Sequence, residues 1–165
     1  MTTPDPTAPA TTGPTENPAV ENPVPALVHA AVTEDVLDAV TAERAVAHPA
    51  CGAGVVFRGV IRDHDSGRTD VTALEYTGHP DADAIMRAVV ERVAAAHPGV
   101  RVHAVHRLGD LRIGDDALIV AVAAAHRREA FACCAAVVDA VKADVPIWKR
   151  QDYASGDHAW VGLQE

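Results

Sequence analysis

Ala117-Leu118-Ile119-Val120-Ala121-Val122-Ala123-Ala124 contains no polar residue, gives way to Ala125-His126-Arg127-Arg128, and is answered downstream by Val141-Lys142-Ala143-Asp144-Val145-Pro146-Ile147-Trp148-Lys149-Arg150. A short continuous apolar run reads as a central strand buried on both faces. Between the two quoted segments, the spacing predicts a helix over about Arg128 to Ala143, with Phe131, Cys134, Ala135, Val138 and Val141 on its inner face. Pro146 disfavours helix at Val145, so the chain is expected to emerge extended through Ile147-Trp148-Lys149. Strand, helix, strand: the cations of this region therefore gather at the two ends of one helix and on the strand after it.

The remaining sequence alternates between the two periodicities. Ala26 to Val32 reads as a strand, and Thr33 as the N-cap of a helix reaching about Ala47, with Glu34 and Asp35 in its first turn. Gly54 to Arg62 and Val71 to Tyr76 read as strands flanking the polar loop Asp63 to Arg68. Pro80-Asp81 opens a helix with the stripe Ile85, Met86, Val89, Val90 and Val93, closed by His97-Pro98-Gly99. Val100 to Arg107 alternates as a half-buried strand, turns follow at Gly109-Asp110 and Gly114-Asp115, and a last strand contains Trp160. Mixed elements in this order predict an α+β domain with a largely antiparallel, mixed sheet and three main helices, not a doubly wound one.

Composition narrows the function. The chain of 165 residues suffices for one domain, placed at 26–165, and a tail. Residues 1–25 hold seven of the eleven prolines, a composition that cannot offset its ordering entropy, so this tail is expected to be disordered and dispensable. With a net charge of −9 the protein lacks the broad basic face that nucleic acid requires, which leaves room for a small anion in a local cationic pocket. No run is long enough to cross a bilayer and the N-terminus lacks a secretory signal, so a cytoplasmic location is expected. Cys51, Cys133 and Cys134 form no metal or redox motif, and no metal site is expected.

Individual residues carry two readings each. Lys142 lies at the margin of the helical stripe, either as a cation complementing the helix C-terminus beside Asp139 or as a partly desolvated, reactive amine. His126 and Arg127 stand where a strand meets a helix N-terminus, which is either a ready anion site or an ordinary cap with a solvated arginine. Arg62 by itself is a solvated arginine. Strand alternation sends one of Lys149 and Arg150 inward and the other outward.

The order of motifs says more. Gly54-Val-Val-Phe-Arg-Gly-Val-Ile-Arg62-Asp-His64, His106-Arg-Leu-Gly-Asp-Leu111, Ala125-His-Arg127 followed by Phe131, then Lys142 and Pro146-Ile-Trp-Lys-Arg150 together resemble the molybdopterin synthase catalytic (large) subunit family, over about Ala26 to Val161. The resemblance implies an α/β-hammerhead-like fold and a homodimer at the core of a heterotetramer. Each large subunit would bind a small ubiquitin-like carrier bearing a C-terminal thiocarboxylate. Its activity would be transfer of sulfur to cyclic pyranopterin monophosphate, without cofactor, metal or cysteine nucleophile. It implies Lys142 and Lys149 as catalytic residues and Arg62, His126, Arg127 and Arg150 as substrate-binding ones. Where relatives often carry a glutamate after the Trp-Lys-Arg run, this chain has Gln151, which cannot act as a base. A non-catalytic module that binds the carrier or a small anion is the competing expectation.

Overall fold

A computed structural model describes residues 23–64 and 67–161. The expected tail therefore lies almost entirely outside the described residues, as does the middle of the Asp63–Arg68 loop. Among the described residues the fold is α+β with three helices, and the strands divide into two four-stranded sheets.

The first sheet is built around β6 (Asp116–Ala124), the apolar run quoted above. Antiparallel neighbours flank it, β4 (Val100–Arg107) on one side and β2 (Ala53–Val60) on the other, and β1 (Leu27–Thr33) adds to β4 in parallel. Both faces of β6 are covered. Leu118, Val120, Val122 and Ala124 pack beneath α2 (Ala82–Ala96) and α3 (Arg127–Asp144), while Ile119, Ala121 and Ala123 pack against α1 (Ala39–Val46). The small side chains of Ala42, Ala121 and Ala123 let the eight-residue α1 lie close to the sheet.

The second sheet, ordered β5 (Gly109–Arg112), β3 (Val71–Gly78), β7 (Ile147–Tyr153), β8 (His158–Val161), is antiparallel throughout. Its inner face closes over Ile61, Val71, Leu74, Leu111, Ala117 and Tyr153. Gly114, with a φ of 94°, turns the chain from β5 into β6, and its N–H donates to the Ile61 carbonyl at 2.9 Å. That bond, with Ile61 N–H to Asp115 O at 2.9 Å, ties the segment after β2 to the mouth between the sheets. Among the described residues no helix is long and apolar enough to cross a membrane.

Three local expectations are corrected. Thr33 is not a helix cap: it stays in β1, opposite Arg107, and its carbonyl accepts from Leu108 N–H at 2.7 Å. Sheet pairing outweighs its cap chemistry, and the helix starts later, at Asp38, whose carboxylate accepts from the N–H groups of Val40 and Thr41 at 3.1 Å each. On α3 the buried stripe is Ala130, Cys133, Cys134, Val137, Val138 and Val141, so Phe131 (62% exposed) and Ala135 face out. Small residues at Ala130 and Cys133, both fully buried, allow the helix to press onto the sheet where a phenylalanine would hold it off. The turn expected at Gly109-Asp110 is instead the start of β5: Gly109 takes a φ of 86°, and the next three residues pair with β3.

Candidate active site

The inner edge of the second sheet and the C-terminal end of α3 enclose a cavity of about 340 Å³. Arg62, just past the end of β2, enters it from one side, Lys142 from the last turn of α3, and Lys149 from β7. Three of the predicted site cations thus converge in a protein whose overall charge is −9. Such a concentration of positive charge in a partly dry cleft attracts and orients anions.

Strand register explains the floor. Tyr76 stands directly opposite Lys149, and Leu74 opposite Gln151, so these four share the cavity face of the β3–β7 pair. Gln151 is fully buried, and its Oε1 accepts from the Tyr153 hydroxyl at 2.9 Å. His64, quoted above only within the family motif, also reaches the cavity wall, with Nδ1 2.7 Å from the Asp63 carboxylate.

A second chamber of about 300 Å³ adjoins the first and shares Tyr76, Lys142 and Lys149 with it. Its other walls are Val141, Val145, Ile147 and His106, so it is apolar apart from one imidazole. Burial keeps that imidazole neutral, with its pKa pulled down to about 4, and the neighbouring charge of Lys142 acts in the same direction. Among the described residues Lys142 has no hydrogen-bond or ion-pair partner, Asp139 included. Its role as half of an i,i+3 pair is thereby removed.

The other predicted residues stand elsewhere. Arg150 faces the opposite side of β7 from Lys149, as alternation requires, and its guanidinium is held by Glu75 at 2.7 Å and Asp152 at 3.1 Å. It braces the outer face of the sheet and is not brought to the cavity. Asp152, sharing that outer face, cannot take the place of a carboxylate at position 151. His126 and Arg127 are exposed at the N-terminal end of α3, where His126 takes the cap position without a side-chain hydrogen bond. Fifteen residues of helix separate Arg127 from Lys142, about 22 Å at 1.5 Å per residue. Within one copy of the chain they do not meet. Gly52 fixes their junction from below: its N–H donates to Ala125 O at 3.3 Å, and a Cβ there would lie only 2.8 Å from that oxygen.

The cysteines stay out of the site. Cys133 and Cys134 are buried on the inner face of α3, and desolvation raises both thiols, Cys133 to about 11. Tyr76, His106 and His64 are the site residues that sequence reasoning did not single out as such. Tyr76 was accessible only through the register that places it against Lys149.

Comparison with known proteins places this geometry. Residues 32–144 match the family model described as MoaE protein. The chain is 39% identical over 119 residues to molybdopterin synthase catalytic subunit 1 of Mycobacterium tuberculosis, covering 72% of this chain and 80% of that one. It is 36% identical over 114 residues to the molybdopterin synthase catalytic subunit of a Nostoc species, covering 68% of each. Among solved structures, molybdopterin synthase from Staphylococcus aureus superposes with a TM-score of 0.73 at 26% identity, over 81% of this chain and 96% of that one. Molybdopterin cofactor biosynthesis protein E from Burkholderia multivorans does so with 0.65 at 33% identity, over 82% and 88%. In sequence and in fold, the chain belongs to the MoaE protein family.

Proposed function

We propose that this chain is the catalytic subunit of a molybdopterin synthase, transferring sulfur from a thiocarboxylated small carrier to cyclic pyranopterin monophosphate. The observation that carries this reading is the meeting of Arg62, Lys142 and Lys149 in one cavity that contains no cysteine. Both reactants are anions, and neither needs a protein thiol, since the sulfur arrives on the carrier. Fixed cations stabilise the charge that builds on oxygen as an acyl group is attacked, and they hold the cyclic phosphate without reorganising. Lys142, unpaired at the boundary of the two chambers, is positioned to meet the end of the carrier, while Arg62 faces the polar chamber where a phosphate would sit.

His126 and Arg127 fit the same reading if a second copy supplies them. The helix that separates them from their own cavity by about 22 Å would deliver them to a neighbour's. A homodimer with one carrier at each end, a heterotetramer, is the assembly that this arrangement supports, and a cytoplasmic location goes with it. Arg150, committed to Glu75 and Asp152, is assigned to bracing rather than to substrate. With a neutral amide at position 151, the proposal uses no carboxylate base there.

Titration of cyclic pyranopterin monophosphate into the protein tests the pocket. Arg62→Ala should weaken binding roughly ten- to a hundredfold, the effect of losing a charge-assisted hydrogen bond of about 1.5–3 kcal/mol. Unchanged affinity would place the substrate elsewhere.

A further inference from the structure

Arg62 lines the cavity from outside any strand, two residues beyond the end of β2. A cation binds an anion best when it is held in place beforehand, and here the backbone on both sides of Arg62 is tied down. Downstream, the Asp63 carbonyl accepts from Val71 N–H at 3.2 Å. Upstream, Ile61 makes two hydrogen bonds to the turn between β5 and β6. Its N–H donates to Asp115 O and its carbonyl accepts from Gly114 N–H, each at 2.9 Å. The place of Arg62 therefore depends on the shape of that turn.

Arg107, the last residue of β4, holds the turn. Its side chain is only 14% exposed. Nη1 donates to Asp115 Oδ2 at 3.3 Å and Nη2 to the Asp110 carbonyl at 3.5 Å, so one guanidinium bridges the two ends of the 110–115 segment. A rigid fork of donors suits that span. The same Asp115 oxygen accepts from Arg112 N–H at 3.0 Å, which closes the turn on itself. Stability alone does not account for the arrangement, because among the described residues Arg107 Nε–H is buried with no acceptor. A buried donor left unmatched costs free energy. Arg107 does not line the cavity and so does not touch the substrate. We infer that Arg107 is a positioning residue for Arg62: its guanidinium sets the β5–β6 turn, and the turn, through Gly114 and Asp115, fixes the backbone from which Arg62 enters the cavity.

The effect on binding rests on the proposed precursor site, so the test has two arms. Arg107→Met fills similar space without donors, and Arg107→Lys keeps the charge without the fork. In calorimetric titrations with cyclic pyranopterin monophosphate, both should bind about three- to tenfold more weakly than wild type. Their melting temperatures should stay within about 3 °C of wild type, because the unmatched donor is lost along with the contacts. Placed in an Arg62→Ala background, Arg107→Met should cost no further affinity, since nothing remains to be positioned. Full affinity in Arg107→Lys would show that charge alone matters. An equal loss with and without Arg62 would show general loosening, and either result overturns the inference. The second arm needs no ligand. In amide hydrogen exchange, the N–H groups of Ile61 and Gly114 should exchange about tenfold faster in both variants, while that of Val120 in the central strand is unchanged. Unaltered exchange at Ile61 and Gly114 would refute the clamp even if the precursor bound as proposed. A wild-type protein that binds no precursor would instead remove the proposed function, and the exchange arm alone would then decide the clamp.

Discussion

Lys142→Ala should lose turnover by roughly a hundredfold or more, the scale of a group that acts on protons or charge in the transition state, while the protein folds and still binds its carrier. The expectation follows from position. Lys142 stands in the last turn of α3, lies exposed at the junction of two chambers, and has no hydrogen-bond or ion-pair partner among the described residues that its removal would strand. Lys142→Arg divides the remaining possibilities. Arginine keeps the positive charge but cannot give up a proton near neutral pH, so it should be nearly as inactive as alanine if the amine itself takes part. Substantial activity in the arginine variant would reduce the role to charge. Near-normal turnover in Lys142→Ala, accompanied only by a small fall in melting temperature, would identify a helix-end cation and shift the chemistry to Lys149.

The second large effect concerns two copies of the chain. Arg127→Ala should cut activity strongly although Arg127 is about 22 Å along α3 from the lysine of its own copy. If the neighbour uses it, Lys142→Ala and Arg127→Ala impair complementary halves of one shared site. Mixing and re-equilibrating the two inactive proteins should then restore about a quarter of wild-type activity, since half of the dimers would be mixed and each would contain one intact site. A mixture no more active than the sum of its components would show that the sites are not shared.

Much of the fold was legible because it rests on local chemistry. The unbroken apolar run of β6 could only be central, and Pro146 forced the chain out of α3 into β7. The stripe of α2 matched its buried face, from Met86 through Val93. What escaped depended on partners distant in sequence. Thr33 looks like a cap until β4 arrives beside it, and Gly109-Asp110 looks like a turn until β3 pairs with it. On α3 a one-residue rotation of the stripe turns Phe131 outward, a choice made by the tight packing of Ala130 and Cys133 that periodicity cannot distinguish.

The site divides in the same way. Arg62, Lys142 and Lys149 were identified by residue type and order, and the fold brings them together. Which of Lys149 and Arg150 faces inward was left open by alternation and is settled by the pairing of β7 with β3.

The most direct test of sulfur transfer at this cavity is a single-turnover reaction of the purified chain with its thiocarboxylated carrier and cyclic pyranopterin monophosphate. Product dithiolene and remaining thiocarboxylate are quantified together. The proposal requires one molybdopterin for every two thiocarboxylates consumed, with the yield collapsing in Lys142→Ala. Tight binding of both reactants with no dithiolene formed by the wild-type protein would contradict it, and would leave a module that holds the carrier without using its sulfur.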